Sequence, residues 1–162
     1  MRDLPGIDIE LDEYYLGYIL NKMKDGRVGY DRDGMEILLD DLTLSKIIES
    51  IFIGIPLPSC YINTLSEEFH WEAITGHTVF EALNRFVIKE NLVLEGLKIK
   101  SELNGLSFKD LSEDLIEQLY KTGWNLILMK NRVVNPLSKS EKVKNSCLLQ
   151  EDIYAIIKGF NG

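Results

Sequence analysis

Helix-like and strand-like segments alternate along this chain without a regular strand–helix–strand rhythm, and that irregular alternation restricts the fold more than any other feature. An all-helical bundle, an all-strand sandwich and a repeating parallel α/β array each need a uniform period, and none is present. The spacing predicts a helix over "LDEYYLGYILNKMK", with Leu11, Tyr15, Tyr18, Ile19 and Met23 near one face, ending at Asp25-Gly26. Asp8, Glu10, Asp12 and Glu13 then read as favourable first-turn charges. "RVGY" is a short strand ahead of a polar turn, and "LTLSKIIESIFIG" is a helix with Leu44, Ile47, Ile48 and Ile51 inward, stopped by Gly54 and Pro56. "CYINTL" and "FHWEAI" read as two strands of a hairpin, followed by a helix from Thr78 to about Lys89.

Turn signals at Glu95-Gly96 and Asn104-Gly105 break up the next stretch into short strands or irregular structure. "SEDLIEQLYK" is a helix with Ser112 as its cap, and "NLILMK" is an apolar strand. Ser138 and Glu141 have capping-box spacing, and "EDIYAIIKG" is a last helix. The expected architecture is therefore α+β, a small mixed sheet flanked by helices, in a single domain spanning residues 1–162.

Charge and composition exclude some functions. The net charge is −8, and residues 1–50 hold twelve acidic side chains against six basic ones. Such a chain is a poor non-specific ligand for DNA, because Lys and Arg must displace counterions from the phosphates. A basic run from Lys130 to Lys144 keeps DNA open as a partner, but such a run is usually a solvated face and the net acidity disfavours DNA. No charged leader with an apolar core opens the sequence, and the most apolar run, "IFIGIPLPSCYI", is too short for a membrane span of roughly 20 residues. Cytoplasmic location without membrane association is the expectation. Cys60 and Cys147 lack metal spacing and read as buried, reduced thiols, and no His, Cys, Asp and Glu cluster has the spacing of a metal site.

The segment "AITGHTVFEALNRF" departs most from simple packing. A strand-like run ends at Thr75-Gly76, and a helix with Val79, Ala82, Leu83 and Phe86 on its apolar face begins almost at once. A strand, a glycine and a helix start in that order are where proteins often hold phosphate, because the first N–H groups of a helix are unpaired.

Several pieces, in order, carry a family resemblance: Tyr30-Asp31-Arg32, "KIIESI", "GIPLP", Ile74-Thr75-Gly76-His77-Thr78-Val79, and "NPLSKSE" from Asn135 to Glu141. Together, over about residues 10–150, they resemble the N-terminal domain of GmrSD-type restriction endonucleases, within the ParB and sulfiredoxin-like fold. The family signature Ile-Asp-Gly-Gln-Gln-Arg would align its Asp with Thr75, its two Gln with His77 and Thr78, and its Arg with Val79. The ParB-like variant Gly-His-Thr-Arg-x-x-Ala matches at Gly76, His77, Thr78 and Ala82.

The resemblance implies a pocket formed by Arg32, Gly76, His77 and Thr78, with a nucleoside triphosphate as the candidate cofactor. The missing arginine removes a charge-assisted contact of about 1.5–3 kcal/mol, and Arg85, two turns away, is no substitute for it at the Gly76 loop. The leading expectation is a degenerate, non-catalytic binding or regulatory module related to restriction and defence proteins, with no catalytic residue. Two alternatives stay open: an active NTPase or nuclease using the Gly-His-Thr site, and a protein-interaction domain of inhibitor or antidote type.

Overall fold

A computed structural model of the chain describes residues 7–33, 39–64 and 70–131. The capping box at Ser138, the final helix, Cys147 and the basic run beyond Asn131 lie outside the described residues, as does the segment joining the hairpin strands. The elements are β1 (Ile7–Tyr15), α1 (Leu16–Lys24), β2 (Val28–Gly29), α2 (Asp41–Ile53), β3 (Cys60–Asn63), β4 (Trp71–Ala73), α3 (His77–Leu83), α4 (Glu113–Tyr120) and β5 (Gly123–Asn131). The fold is α+β. Five strands form one mixed sheet in the order β1-β5-β3-β4-β2.

Strand β5 is the spine of the sheet. It pairs antiparallel with β1 along all nine residues and parallel with β3 from Cys60 opposite Leu126 to Asn63 opposite Met129. Strands β3 and β4 are antiparallel, and β2 runs parallel to β4. One face of the sheet carries Cys60, Ile62, Trp71, Ala73, Trp124, Leu126 and Leu128, all buried. Helices cover it with Leu16, Ile19 and Leu20 from α1, Leu44, Ile48, Ile51 and Phe52 from α2, Phe80, Ala82 and Leu83 from α3, and Leu119 from α4. Phe80 meets Trp124 at a ring separation of 4.8 Å, and the Trp124 indole N–H donates to the Pro58 carbonyl at 2.7 Å.

The first element corrects the sequence expectation. Residues 7–15 form a strand, not the start of a helix, and the helix begins only at Leu16. Leu11, Tyr15 and Tyr18, expected inward, are exposed at 69%, 60% and 54%. The carboxylates of Asp8, Glu10, Asp12 and Glu13 accordingly lie along a strand instead of in a first helical turn. "IDIELD" does alternate apolar and acidic residues with the period of a strand. The pairing with β5 overrides the looser helical spacing, aided by a Glu10–Lys130 ion pair of 2.6 Å and by Tyr14 set edge-on to Trp71 at 5.0 Å.

The remaining elements follow their local signals. Asp40 caps α2 by accepting from the Thr43 N–H at 2.8 Å, and Gly54 ends it in the left-handed conformation. Ser112 caps α4 by accepting from Leu115 N–H. Residues 91–111, between a π turn at Asn84–Ile88 and α4, are irregular with two short 3-10 turns, at Ser101–Leu103 and Phe108–Asp110.

Gly76, at the start of α3, has φ +79°, and a Cβ there would lie 2.8 Å from Cys60 Sγ and 3.2 Å from the Trp124 ring. Gly54 has φ +88° with nothing within 4 Å of such a Cβ. Replacing Gly54 by Ala should therefore cost only the left-handed backbone strain, about 1–2 kcal/mol. Gly76→Ala adds overpacking against Cys60 and Trp124, for a further loss of about 1–3 kcal/mol. Urea unfolding midpoints of the two variants test this, and equal losses would contradict the packing of Gly76 against β3 and β5.

Candidate functional site

The loop leading into α3 is stitched to β3. The Tyr61 N–H donates to Thr75 Oγ1 at 2.9 Å, the Ile74 N–H donates to the Tyr61 carbonyl at 2.8 Å, and the Cys60 thiol donates to the Thr75 carbonyl at 2.8 Å. Burial pushes the Cys60 pKa up to about 12, so this thiol stays protonated at neutral pH and is no nucleophile. His77 donates from Nε2 to the Ala73 carbonyl at 3.0 Å, because a carbonyl can only accept. Val79, at the position aligned with the family's arginine, is 8% exposed and part of the core. Thr78 is half-buried. Thr75 and Val79 thus serve the packing of the loop and the helix.

The charged part of the site lies one turn further along. Glu81 sits in a run of five buried residues, Val79 to Leu83, and its side chain is 3% exposed. An isolated carboxylate in such a place would be costly, so it needs partners. Arg32 supplies two donors, from Nε to Oε2 at 2.9 Å and from a terminal nitrogen to Oε1 at 3.0 Å, and the Tyr30 hydroxyl donates to Oε2 at 2.8 Å. Tyr30 and Arg32 are two residues apart, the spacing at which an extended chain directs two side chains to the same side. The Tyr30 ring also stacks on Phe80 at 5.7 Å. Burial raises the Glu81 pKa, but the hydrogen bonds from Arg32 and Tyr30 outweigh it and hold the carboxyl below its ordinary value. Burial and the bond to Glu81 raise the Tyr30 pKa in turn.

Beyond Leu83 the helix widens into a π turn, Asn84–Ile88, in which the Lys89 N–H donates to the Asn84 carbonyl at 2.8 Å. In an ideal helix, residues four apart drift by about 40° around the axis, and a wider turn offsets that drift. Glu81, Arg85 and Lys89 accordingly line one pocket of about 280 Å³ together with Arg32, Leu39, Leu44 and Asn91. Arg85 donates from one terminal nitrogen to Asp41 at 2.8 Å, from the other to the Asn91 carbonyl at 3.2 Å, and from Nε to Asn91 Oδ1 at 3.2 Å.

Of the four residues that the sequence suggested for one pocket, Arg32 lines this cavity, while Gly76, His77 and Thr78 are not part of its lining. Arg85, discounted from the sequence because of its distance from Gly76, shares the cavity with Arg32. Glu81 escaped notice, although a lone carboxylate between Phe80 and Ala82 on an apolar helix is a signal for a buried ion pair. His70, just before β4, meets Glu72 of that strand at 3.2 Å. Lys130, the described start of the basic run, is held by Glu10. Among the described residues, no helix is long and apolar enough to cross a membrane. Comparison with family models, with curated proteins and with solved structures finds no match to the chain.

Glu81→Gln removes the charge from a buried, forked pair and should cost about 1.5–3 kcal/mol, reduced by the partial exposure of Arg32. Because folding lowers the Glu81 pKa, its contribution is present above the ordinary value of 4.5 and is lost as pH falls through the folded value. Stability measured by urea unfolding from pH 7 downward should fall more steeply below about pH 4.5 in the native protein than in Glu81→Gln. Parallel curves would exclude the pair as a source of acid sensitivity.

Proposed function

We propose that this chain is a non-catalytic ParB/GmrSD-N-like binding or regulatory module, related to restriction and defence proteins, that retains an anion-binding face. One observation carries the reading. The signature positions Thr75 and Val79 are engaged in packing, whereas Arg32, from the Tyr-x-Arg motif, stands at the wall of an open cavity. Strand β4 leading through Gly76 into α3 supports the ParB-like assignment, since the resembling motif likewise ends a strand at a helix start.

Chemistry on a phosphate ester needs an acid, a base or a nucleophile with a suitable proton affinity. Both Glu81 oxygens are occupied by donors, the Cys60 thiol is fully protonated, and the His77 Nε2 proton is directed to a backbone carbonyl. These assignments favour binding over turnover. A cavity of about 280 Å³ also lies just under the usual range for a whole small-molecule ligand, so it suits a phosphate group better than an entire nucleotide.

Purified protein with ATP, GTP or CTP and magnesium should release no phosphate and cut no DNA. Bound nucleotide should raise the melting temperature according to RT ln(1 + [L]/Kd). Turnover that disappears in His77→Ala would refute the non-catalytic reading in favour of the Gly-His-Thr enzyme.

A second reading rests on a separate observation. Strand β1 exposes Asp8, Glu10, Asp12 and Glu13 together with Leu11, on an outer strand of the described sheet. Exposed carboxylates along an outer strand suit a basic protein partner of an inhibitor-type module. Binding to such a partner should weaken steeply between about 0.05 and 0.5 M salt, and a salt-independent affinity would argue against it.

A further inference from the structure

We infer that the cavity bounded by Arg32, Arg85, Lys89 and Asn91 is a binding site for the phosphate group of a small ligand, separate from the Gly76 loop. The inference deepens the reading above and rests on it for placing an anion at this cavity, but not on the family assignment. Three observations carry it.

The first is an oriented donor. Arg85 is 23% exposed, and its guanidinium is fixed by Asp41 and by both the side chain and the carbonyl of Asn91. These bonds use three of its five N–H groups, leaving one on each terminal nitrogen without a partner among the described residues. A guanidinium already held in place loses little freedom when an oxyanion docks on it.

The second is the charge balance. Arg32 is matched by Glu81, whose two oxygens already accept from Arg32 and Tyr30. Arg85 is matched in part by Asp41, which is 47% exposed. Lys89 is exposed and forms no ion pair among the described residues, so the cations Arg32, Arg85 and Lys89 at the cavity outnumber the carboxylates Glu81 and Asp41 that meet them. The approach of Lys89 also helps to lower the Glu81 pKa, behind the effects of Arg32 and Tyr30.

The third is the wall. Leu44 is fully buried and Leu39 half-buried, so the cationic groups stand against apolar side chains, where charge interactions are stronger than in open water. The cavity volume of about 280 Å³ admits a phosphate with part of the group that carries it. Arg85 would hold two oxygens through its outer N–H groups, and the Lys89 ammonium would approach the third as a point charge.

The test is titration of the full chain, without magnesium, with inorganic phosphate in one series and CTP in another, followed by calorimetry. Saturable binding is expected, weakened about tenfold or more by Lys89→Glu and restored by Lys89→Arg. His77→Ala and Thr78→Ala should leave it unchanged. Because Lys89 also acts electrostatically on Glu81, melting temperature is followed beside affinity, and Lys89→Gln, which brings no second carboxylate towards Glu81, should weaken binding in the same sense. Equal affinity for both ligands would identify free phosphate as sufficient, whereas tighter CTP binding would show that the site extends to the carrier. Absence of saturation by either ligand, or affinity unaffected by Lys89→Glu, would overturn the inference. Hydrolysis of CTP, by contrast, would refute only the non-catalytic reading.

Discussion

A carboxylate in the apolar heart of a helix is tolerated only when its charge is met, and Glu81 is met three times. Arg32 grips it with two nitrogens and Tyr30 adds a hydroxyl, so a segment that belongs to no regular element is fixed against α3. Much of the site follows from this contact. It fixes Arg32 at the cavity wall, seats the Tyr30 ring on Phe80, and leaves Glu81 ionised with its oxygens occupied. Breaking such a pair leaves a buried charge uncompensated, and for that reason it specifies one arrangement more strongly than it adds net stability.

The sheet supplies the second constraint. Because β5 pairs on both sides, Trp124 is held under the start of α3, where Phe80 packs on it and Gly76 approaches it closely. The loop between β4 and α3 is thereby pinned, with its polar groups turned to β3. The open side of the helix is the later one, where the π turn brings Arg85 and Lys89 into line with Glu81. The cationic groups of this helix thus lie on its flank, while its first turn is occupied with packing.

Some of this was legible in the residues. Helix α2 declared itself through the Leu44, Ile48 and Ile51 stripe and through Gly54. Helix α4 did so through Ser112, and β3 to β5 through their apolar runs. At the site, Arg32 was singled out by its motif and does face a cavity. Strand β1 was misread because Leu11, Tyr15 and Tyr18 happen to fit a helical stripe, although the true partner, β5, lies more than a hundred residues away in the chain. A local pattern carries no information about a ladder formed with so distant a segment.

The sequence by itself determined the α+β class, the stops and caps of the helices, and the absence of acid and arginine at Thr75 and Val79. Those features are local, set by side-chain periodicity, capping chemistry and residue identity. Only the tertiary structure decided that Tyr30 and Arg32 close on Glu81, and that Arg85 and Lys89 join Arg32 around one cavity. Those contacts join side chains separated by about fifty residues, and their geometry depends on how the sheet orients α3 and how the π turn rotates its second half. Charge pairing across such distances exists only after the chain has collapsed, because only then does burial make an unpaired carboxylate costly.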